Sequence, residues 1–466
     1  MNPADFISRD TIRADFSRAM SAMYRHEVPL YGTLMSLVAQ INAQVMAERP
    51  DIAHRLERTG ELQRLDSERH GAIRVGTPTE LATLARLFAV MGMEPVGYYD
   101  LTPAGVPVHS TAFRAVHESA LHISPFRVFT SLLRLEVIEP ASLRELAKAT
   151  LAKRNIFTPR LLELIEQCET QGGLTPAEAE VFVAQALETF RWHDRATVTL
   201  AQYQQLAAQH RLIADVVAFR GPHINHLTPR TLDIDRVQAE MPRQGITPKA
   251  VIEGPPSRQC PILLRQTSFK ALDEPISFID QQGNERGSHS ARFGEIEQRG
   301  AALTPKGRAL YDRLLAASRQ ALGAAPNEAN AKHCNALQQQ HFAAFPDTLA
   351  EMREQGLAYF RYFVTDKGLG NHDTPPATDL QALIANGWIA FEPLVYEDFL
   401  PVSAAGIFQS NLGDDAQRSF TARANRESFE QALGRTTLDE FTLYADTQRR
   451  SLAECADKLR LNGLLA

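Results

Sequence analysis

Cysteine and tryptophan are scarce in this chain, which has 4 cysteines and 2 tryptophans among its 466 residues. The cysteines are far apart and form no CxxC pair, so neither a disulfide framework nor a thiolate zinc site is indicated, and a reducing, cytoplasmic compartment is expected. A basic surplus is missing too, because the formal net charge is -6, and we expect no nucleic-acid partner. Phosphate-binding loops, dinucleotide fingerprints and a Ser-His-Asp order are also missing from the sequence.

The sequence has no long apolar run that is free of polar side chains. Residues 28–47 carry no formal charge, yet they include Pro29, Thr33 and Ser36, whose polar groups a bilayer would penalise. We expect a buried helix there and no membrane partner. Residues 1–25 mix acidic and basic side chains without an apolar core, so we expect no secretory signal.

Apolar spacing and turn residues predict an α+β protein of several packed regions. The predicted regions are N-terminal helices at residues 1–60, a β-α-β-β-β unit at 61–139, a helical insert at 140–219, a second β-α-β-β-β unit at 220–303 and a mainly helical C-terminal region at 304–466. The two units repeat an architecture rather than a sequence. If they pack about a pseudo-twofold axis, their first strands face each other across a shared cleft.

The elements inside the two units follow from local signals. The first unit opens with the strand HGAIRVG at His70, followed by a helix that Thr77 caps and Pro78 begins. The second unit has the same order, with predicted strands at HINHLT around His226 and at residues 249–256, 260–279 and 289–300.

Two of the fourteen histidines stand out by position. His70 lies in the first strand of the first unit and His226 in the first strand of the second, so the paired units can bring both to one point. His223 precedes His226 by three residues and points to the opposite face of a regular strand. Most other histidines are expected to be ordinary surface or core residues.

A carboxylate ligand is expected from the strand in FGEIEQRG. Glu295 and Glu297 lie on one face of that strand because side chains alternate with period two. Two histidines and one carboxylate form the facial set of non-haem iron(II) oxygenases and leave positions for substrate and oxygen. An alternative stays open, in which Glu295, Glu297 and Arg299 are a charge ladder of a structural strand.

Arg74 follows His70 by four residues, on the same face of the strand and about 13 Å away. An arginine that leans toward the metal leaves a gap for a short dicarboxylate, with one end on the metal and the other on the guanidinium. A surface ion pair is the alternative for Arg74.

The motifs around these residues resemble a known family. The paired units resemble the vicinal-oxygen-chelate superfamily, and FGEIEQRG is similar to the EIIQR-type strand of its hydroxyphenylpyruvate dioxygenases, with Glu297 in place of an apolar residue. Four segments together resemble the 2-oxoadipate dioxygenase/decarboxylase family over nearly the whole chain: RHGAIR, HINHLTPRT, FGEIEQRGAALTPKGR and PVSAAGIFQSN.

The resemblance implies both a site and a reaction. The site would hold iron(II), Fe²⁺, on His70, His226 and Glu295. Arg74 would bind the distal carboxylate of the substrate, and Val402 and Ser403 would belong to a segment near residues 400–411 that covers it. The reaction would take 2-oxoadipate and O2 to 2-hydroxyglutarate and CO2, in lysine degradation.

Two other functions remain open from the sequence. One is a zinc- or nickel-dependent lyase or isomerase on the same fold, which uses its metal only as a Lewis acid. The other is a metal-free ligand-binding protein. A dioxygenase would consume oxygen, whereas the lyase or isomerase would not. The ligand-binding protein would lack the stoichiometric metal that both enzymes need.

Overall fold

The computed structural model describes residues 6–279, 285–370, 379–400 and 425–461. In these ranges helices and strands are mixed, and the largest sheet has five strands. The α+β class expected from the sequence is confirmed. Among the described residues, no helix combines the length and the apolarity that crossing a bilayer requires.

Three helices lie near the start of the chain, where the apolar spacing predicts them. They are α1 (Arg9–Glu27), α2 (Pro29–Glu48) and α3 (Pro50–Arg58). Helices α2 and α3 begin at prolines because the first helical position needs no N–H for the helix. Helix α1 buries Phe16, Met20 and Tyr24 completely, so it is part of the core.

The strands and the helix predicted for the first unit are confirmed. They are β1 (Arg69–Val75), α4 (Pro78–Val90), β2 (Glu94–Asp100), β3 (Val108–Arg114) and β4 (Arg127–Leu133), with the short helix α5 (Glu118–Ile123) before β4. Thr77 and Glu80 form a capping box at the start of α4. Strand β1 is parallel to β4 and nearly every residue of it is buried, as expected for a strand covered on both faces.

The region between the two units is helical, as predicted for residues 140–219. Its α-helices are α6 (Ala141–Leu151), α7 (Pro159–Gln171), α8 (Pro176–Leu187), α9 (Leu200–Gln209) and α10 (Arg211–Val217). Helix α10 packs on the first sheet, because Ile213 and Val217 share a buried cluster with Ala72 of β1. This packing brings Asp215 beside the sheet.

The second unit departs from the prediction. Its elements are β5 (Leu227–Pro229), α11 (Ile234–Glu240), β6 (Leu264–Ser268), β7 (Asp273–Phe278), β8 (Glu285–Ser290) and β9 (Glu295–Arg299). The strand predicted at 249–256 is wrong apart from an isolated bridge at Glu253, because prolines 255 and 256 lack the N–H that a ladder needs. The segment predicted as one strand at 260–279 contains two, β6 and β7. Strands β7 and β8 pair with each other in a separate two-stranded sheet, and β9 pairs with β6.

Strand β5 joins the two units. It is antiparallel to β1, with Gly71 opposite Leu227, and it completes the sheet order β2-β3-β4-β1-β5. The next residue, Arg230, forms a parallel bridge to Glu297 of β9. Residues of β1, β5 and β9 therefore lie side by side although they are far apart in the sequence.

The last part of the chain has its own apolar core, which includes Tyr311, Phe342 and Trp388. Its elements are α12 (Pro305–Leu322), α13 (Ala331–Phe342), α14 (Leu349–Glu354), β10 (Phe360–Val364), α15 (Asp366–Gly370), α16 (Leu380–Ala385), β11 (Ile389–Pro393) and α17 (Glu440–Lys458), and residues 425–433 are also helical. Strands β10 and β11 form an antiparallel pair. The segment predicted to cover the substrate lies outside the described residues, except for Leu400.

We expect Gly71→Ala to destabilise the protein. A Cβ atom at this position would lie 2.6 Å from Cδ1 of Ile224 and 3.0 Å from the backbone oxygen of His226. Overpacking of this kind costs about 1–3 kcal/mol, which urea unfolding would measure as a loss of unfolding free energy. Gly370→Ala is the control, because no described atom lies within 4 Å of its added Cβ. Equal unfolding free energies for the two variants would contradict the close approach at Gly71.

Candidate metal centre

The structure brings the side chains of His70, His226 and Glu295 together. One ligand atom from each lies within 4.8 Å of the other two. The Nε2 atom of His70 is 3.0 Å from Oε1 of Glu295, and Nδ1 of His226 is 3.9 Å from the same oxygen. His70 belongs to β1, His226 immediately precedes β5 and Glu295 begins β9, so the pairing of β1 with β5 and the bridge to β9 create this cluster.

Aromatic rings hold the two histidines in place. The rings of His70 and His226 meet edge to face, with centroids 5.3 Å apart. Phe293 stacks on His226 at 4.9 Å, and Phe399 contacts the ring of His70 edge to face at 4.9 Å. Such packing fixes the side-chain rotamers that a metal site needs before a metal binds.

Two polar side chains orient Glu295. Its Oε1 atom accepts hydrogen bonds from Nε2 of Gln266 at 2.7 Å and from the hydroxyl of Thr228 at 3.2 Å. The hydroxyl of Thr228 also lies 3.0 Å from Nδ1 of His226, so it contacts both candidate ligands. Sequence reasoning missed Gln266 and Thr228, because only the pairing of β6 with β9 and of β5 with β1 brings them here.

The site sets the charge that a metal needs on two of the three candidate ligands; for His70, burial lowers the pKa but Glu297 and Glu295 raise it, and the net change is upward. Burial lowers the pKa of His226 to about 4 and keeps this ring neutral at physiological pH. Burial alone would raise the pKa of Glu295, but His226 and His70 lower it to about 2, so the carboxylate stays ionised. A neutral imidazole and a carboxylate are the forms in which these side chains bind a metal.

Glu297 lies on the other side of His70. Its Oε2 atom is 2.8 Å from Nδ1 of His70, and its two oxygens accept hydrogen bonds from Nε and Nη2 of Arg299, both at 2.8 Å. Burial would raise the pKa of Glu297, but Arg299 and His70 lower it to about 2. Of the two glutamates in FGEIEQRG, Glu295 is therefore the one that lies beside both histidines, and Glu297 and Arg299 form an ion pair behind them.

Arg74 contacts a buried aspartate. Its Nη1 atom donates a hydrogen bond to Oδ2 of Asp215 at 2.9 Å, and a quarter of its side chain is exposed. Oδ1 of Asp215 lies 2.9 Å from Nε2 of His289 and 3.6 Å from Nε2 of His223. The ion pair weighed for Arg74 from the sequence is thus present, but its partner is buried and comes from the helical insert.

His223 belongs to this aspartate cluster. Its Nε2 atom lies 3.0 Å from Nδ2 of Asn225, and burial lowers its pKa to about 3. Burial would raise the pKa of Asp215, but His223, His289 and Arg74 hold it well below the usual range. Val402 and Ser403, the other two candidate substrate residues, lie outside the described residues.

Comparisons with known proteins place the chain among whole-length relatives. A sequence profile described as 2-oxoadipate dioxygenase/decarboxylase matches residues 16–411. A Pseudomonas putida protein with that name is 70% identical over 461 residues, which cover 99% of each chain. An Escherichia coli protein with the same name is 57% identical and covers 97% of this chain and 99% of its own.

A solved structure is also closely similar. It is the crystal structure of the hydroxyglutarate synthase from Pseudomonas putida in complex with 2-oxoadipate. It matches with a TM-score of 0.93 and 68% sequence identity over 98% of this chain and 100% of that chain.

We expect His226→Ala and His223→Ala to differ sharply in metal binding. His226 contributes a candidate ligand atom, whereas His223 contacts Asp215 and Asn225. Removing a residue that only hydrogen-bonds to a metal ligand lowers metal affinity roughly 10–100-fold. Loss of a ligand itself should have a larger effect, so His226→Ala should weaken zinc(II) affinity more than about 100-fold. Competition with a chelator measures this affinity. A similar loss in both variants would show that the metal lies elsewhere.

Proposed function

The chain belongs to the 2-oxoadipate dioxygenase/decarboxylase family, and on that premise we propose that it converts 2-oxoadipate and O2 into 2-hydroxyglutarate and CO2. One oxygen atom of O2 would enter the new carboxylate and the other the new hydroxyl group, which balances the reaction. The observation that carries the proposal is the convergence of His70, His226 and Glu295 in a chain that matches its relatives over nearly its full length.

We propose iron(II) as the metal. Two imidazole nitrogens and one carboxylate oxygen are the donor set of non-haem iron(II) oxygenases, and they leave positions for a 2-oxo acid and for O2. When bound, iron(II) would supply the electrons that O2 activation needs and that no amino-acid side chain of the site supplies. The rings of Phe293 and Phe399 border the two histidines and would keep bulk water from the reacting atoms.

We propose that the fold is a pair of vicinal-oxygen-chelate-type units, at residues 61–139 and 220–303. In the first unit, β1 pairs with β4 in parallel. In the second unit, the parallel bridge from Arg230 to Glu297 takes the corresponding place. Strand β9 then pairs antiparallel with β6, and β6 forms an antiparallel bridge to Glu253. On this interpretation the hairpin of β7 and β8 is an insertion in the second unit. We also propose a cytoplasmic location, which the four free cysteines support.

Arg74 would bind the distal carboxylate of the substrate. The guanidinium has five N–H groups, and Asp215 is its only hydrogen-bond partner among the described residues. Because Asp215 is buried and is itself held by His289, it would fix the plane of the guanidinium and leave other N–H groups for a carboxylate. Lysine could not replace this planar fork.

An oxygen-electrode assay with a series of 2-oxo acids tests the function. The iron(II)-loaded protein should consume O2 with 2-oxoadipate and release one CO2 for each 2-hydroxyglutarate formed. Turnover of a 2-oxo acid without consumption of O2 would favour a zinc- or nickel-dependent lyase or isomerase instead. A protein that retains no stoichiometric metal and turns over no 2-oxo acid would favour a ligand-binding function.

We expect Arg74→Ala to remove the preference for diacids. A charge-assisted pair with the distal carboxylate should contribute about 2–3 kcal/mol, at the low end for such pairs because a quarter of the Arg74 side chain is exposed. The loss in kcat/KM for 2-oxoadipate should therefore be about 30-fold to 150-fold.

The matched substrate is 2-oxohexanoate, which keeps the chelating end and the chain length but lacks the distal charge. Its kcat/KM should change little in Arg74→Ala, and Arg74→Lys should recover only part of the activity with the diacid. Equal activity of the wild type with both substrates would contradict the diacid assignment and leave the metal centre untouched.

A further inference from the structure

We propose that Glu297 is a positioning residue for His70, which holds the ring proton on Nδ1 and so presents Nε2 to the metal. The inference rests on the proposed metal centre. The proposal gives a role to Glu297, the second glutamate of FGEIEQRG, which does not belong to the candidate ligand set.

The two nitrogens of His70 face different carboxylates. Nε2 faces Glu295 at 3.0 Å, within the cluster of ligand atoms, and Nδ1 lies 2.8 Å from Glu297, away from it, close to the carboxylate but not aligned with it for a hydrogen bond. A neutral imidazole carries one N–H group and one lone pair, and an ionised carboxylate can only accept a hydrogen bond. Either carboxylate could accept the ring proton, but a metal bound at Nε2 would take the lone pair there and leave the proton on Nδ1, beside Glu297.

Glu297 is held rigidly enough to fix the ring. Both of its oxygens accept hydrogen bonds from Arg299, and neither side chain is exposed to solvent. Nη1 of Arg299 in turn donates to the backbone oxygens of Tyr396 and Asp398, at 2.7 and 3.0 Å. The Glu297 carboxylate thus has a fixed position relative to the chain that leads to Phe399, the ring packed against His70.

A metal-ligating histidine commonly donates its second N–H to a carboxylate, which fixes the tautomer and raises the basicity of the ligand nitrogen. The two candidate ligand histidines differ in this respect. Nδ1 of His226 lies beside the neutral hydroxyl of Thr228, whereas Nδ1 of His70 lies beside a buried carboxylate. We therefore assign the stronger donor atom of the pair to His70.

A purely structural role is the rival explanation, because Glu297 also belongs to a buried group of ion pairs. Glu68 provides a matched control for it. Glu68 is equally buried, and it pairs with arginines rather than with His70 among the described residues: Arg64, Arg127, Arg230 and, at 3.8 Å, Arg299, which it shares with Glu297. Glu68→Gln and Glu297→Gln each remove one buried negative charge, but only Glu297→Gln changes the contact with His70.

The test measures zinc(II) and cobalt(II) affinity of the metal-stripped, full-length protein by chelator competition. Glu297→Gln should weaken both affinities by roughly 10–100-fold, whereas Glu68→Gln should leave them within about 3-fold of the wild type. The visible absorption spectrum of the cobalt(II) form should shift in Glu297→Gln and stay unchanged in Glu68→Gln. Equal losses in both variants, or wild-type affinity in Glu297→Gln, would overturn the proposal.

Glu297→Asp covers the case in which Glu297→Gln does not fold. Aspartate keeps the negative charge opposite Arg299 but withdraws the carboxylate by one methylene group from His70. A folded Glu297→Asp protein, checked by circular dichroism, should still lose roughly 10-fold in affinity, and wild-type affinity in it would overturn the proposal.

The metal affinity of the wild type distinguishes failure of this proposal from failure of the metal centre on which it rests. If the wild type binds neither ion more tightly than His226→Ala, the proposed metal centre fails. If the wild type binds both ions tightly and both Glu297 variants match it, only the role of Glu297 fails.

Discussion

The close contact between β1 and the chain that enters β5 is the constraint on which the rest of the site depends. Only three residue pairs form this ladder, and Gly71 lies at one end of it, where a larger residue would strike Ile224. His70 precedes Gly71, and His226 precedes its partner Leu227. Any separation of the two strands would therefore move both histidines apart, so the geometry of the candidate ligands follows directly from backbone pairing.

Buried charge supports this junction from behind. Arg127 of β4 pairs with Glu68 at 2.8 Å and with Glu397, and Glu397 also accepts a hydrogen bond from Arg64 at 2.7 Å. Arg230, just after β5, reaches Glu68 at 3.1 Å. Removal of one partner from such a buried pair typically costs about 3–5 kcal/mol, because the other charge stays buried and uncompensated. These ion pairs join the first unit, the second unit and the C-terminal region, so moving these three regions apart would cost free energy.

The sequence was most informative where structure is local. The first unit could be predicted because alternation, the Thr77 cap and Pro78 are signals contained in a few neighbouring residues. The second unit was harder, since its strands are short and the hairpin of β7 and β8 interrupts them. A strand-like run such as residues 260–279 does not reveal that one half pairs with β9 and the other with β8.

The same division applies to the site. His70, His226 and Glu295 could be selected because each lies on a strand or directly beside one, at a place that the repeated architecture makes equivalent or adjacent. Asp215 could not, because it lies on an amphipathic helix of the insert and only tertiary packing brings it to Arg74. The role assigned to Arg74 stays a prediction, and so do those of Val402 and Ser403.

The origin of Asp215 in the insert has a consequence for how an anion would be recognised. Arg74 and Asp215 together carry no net charge, so this pair exerts little long-range attraction on a dianion approaching through solvent. Selection would instead take place at contact, through directional N–H groups whose orientation the aspartate has already fixed. The helical insert would then contribute to discrimination between substrates by geometry, and that discrimination should be nearly independent of ionic strength.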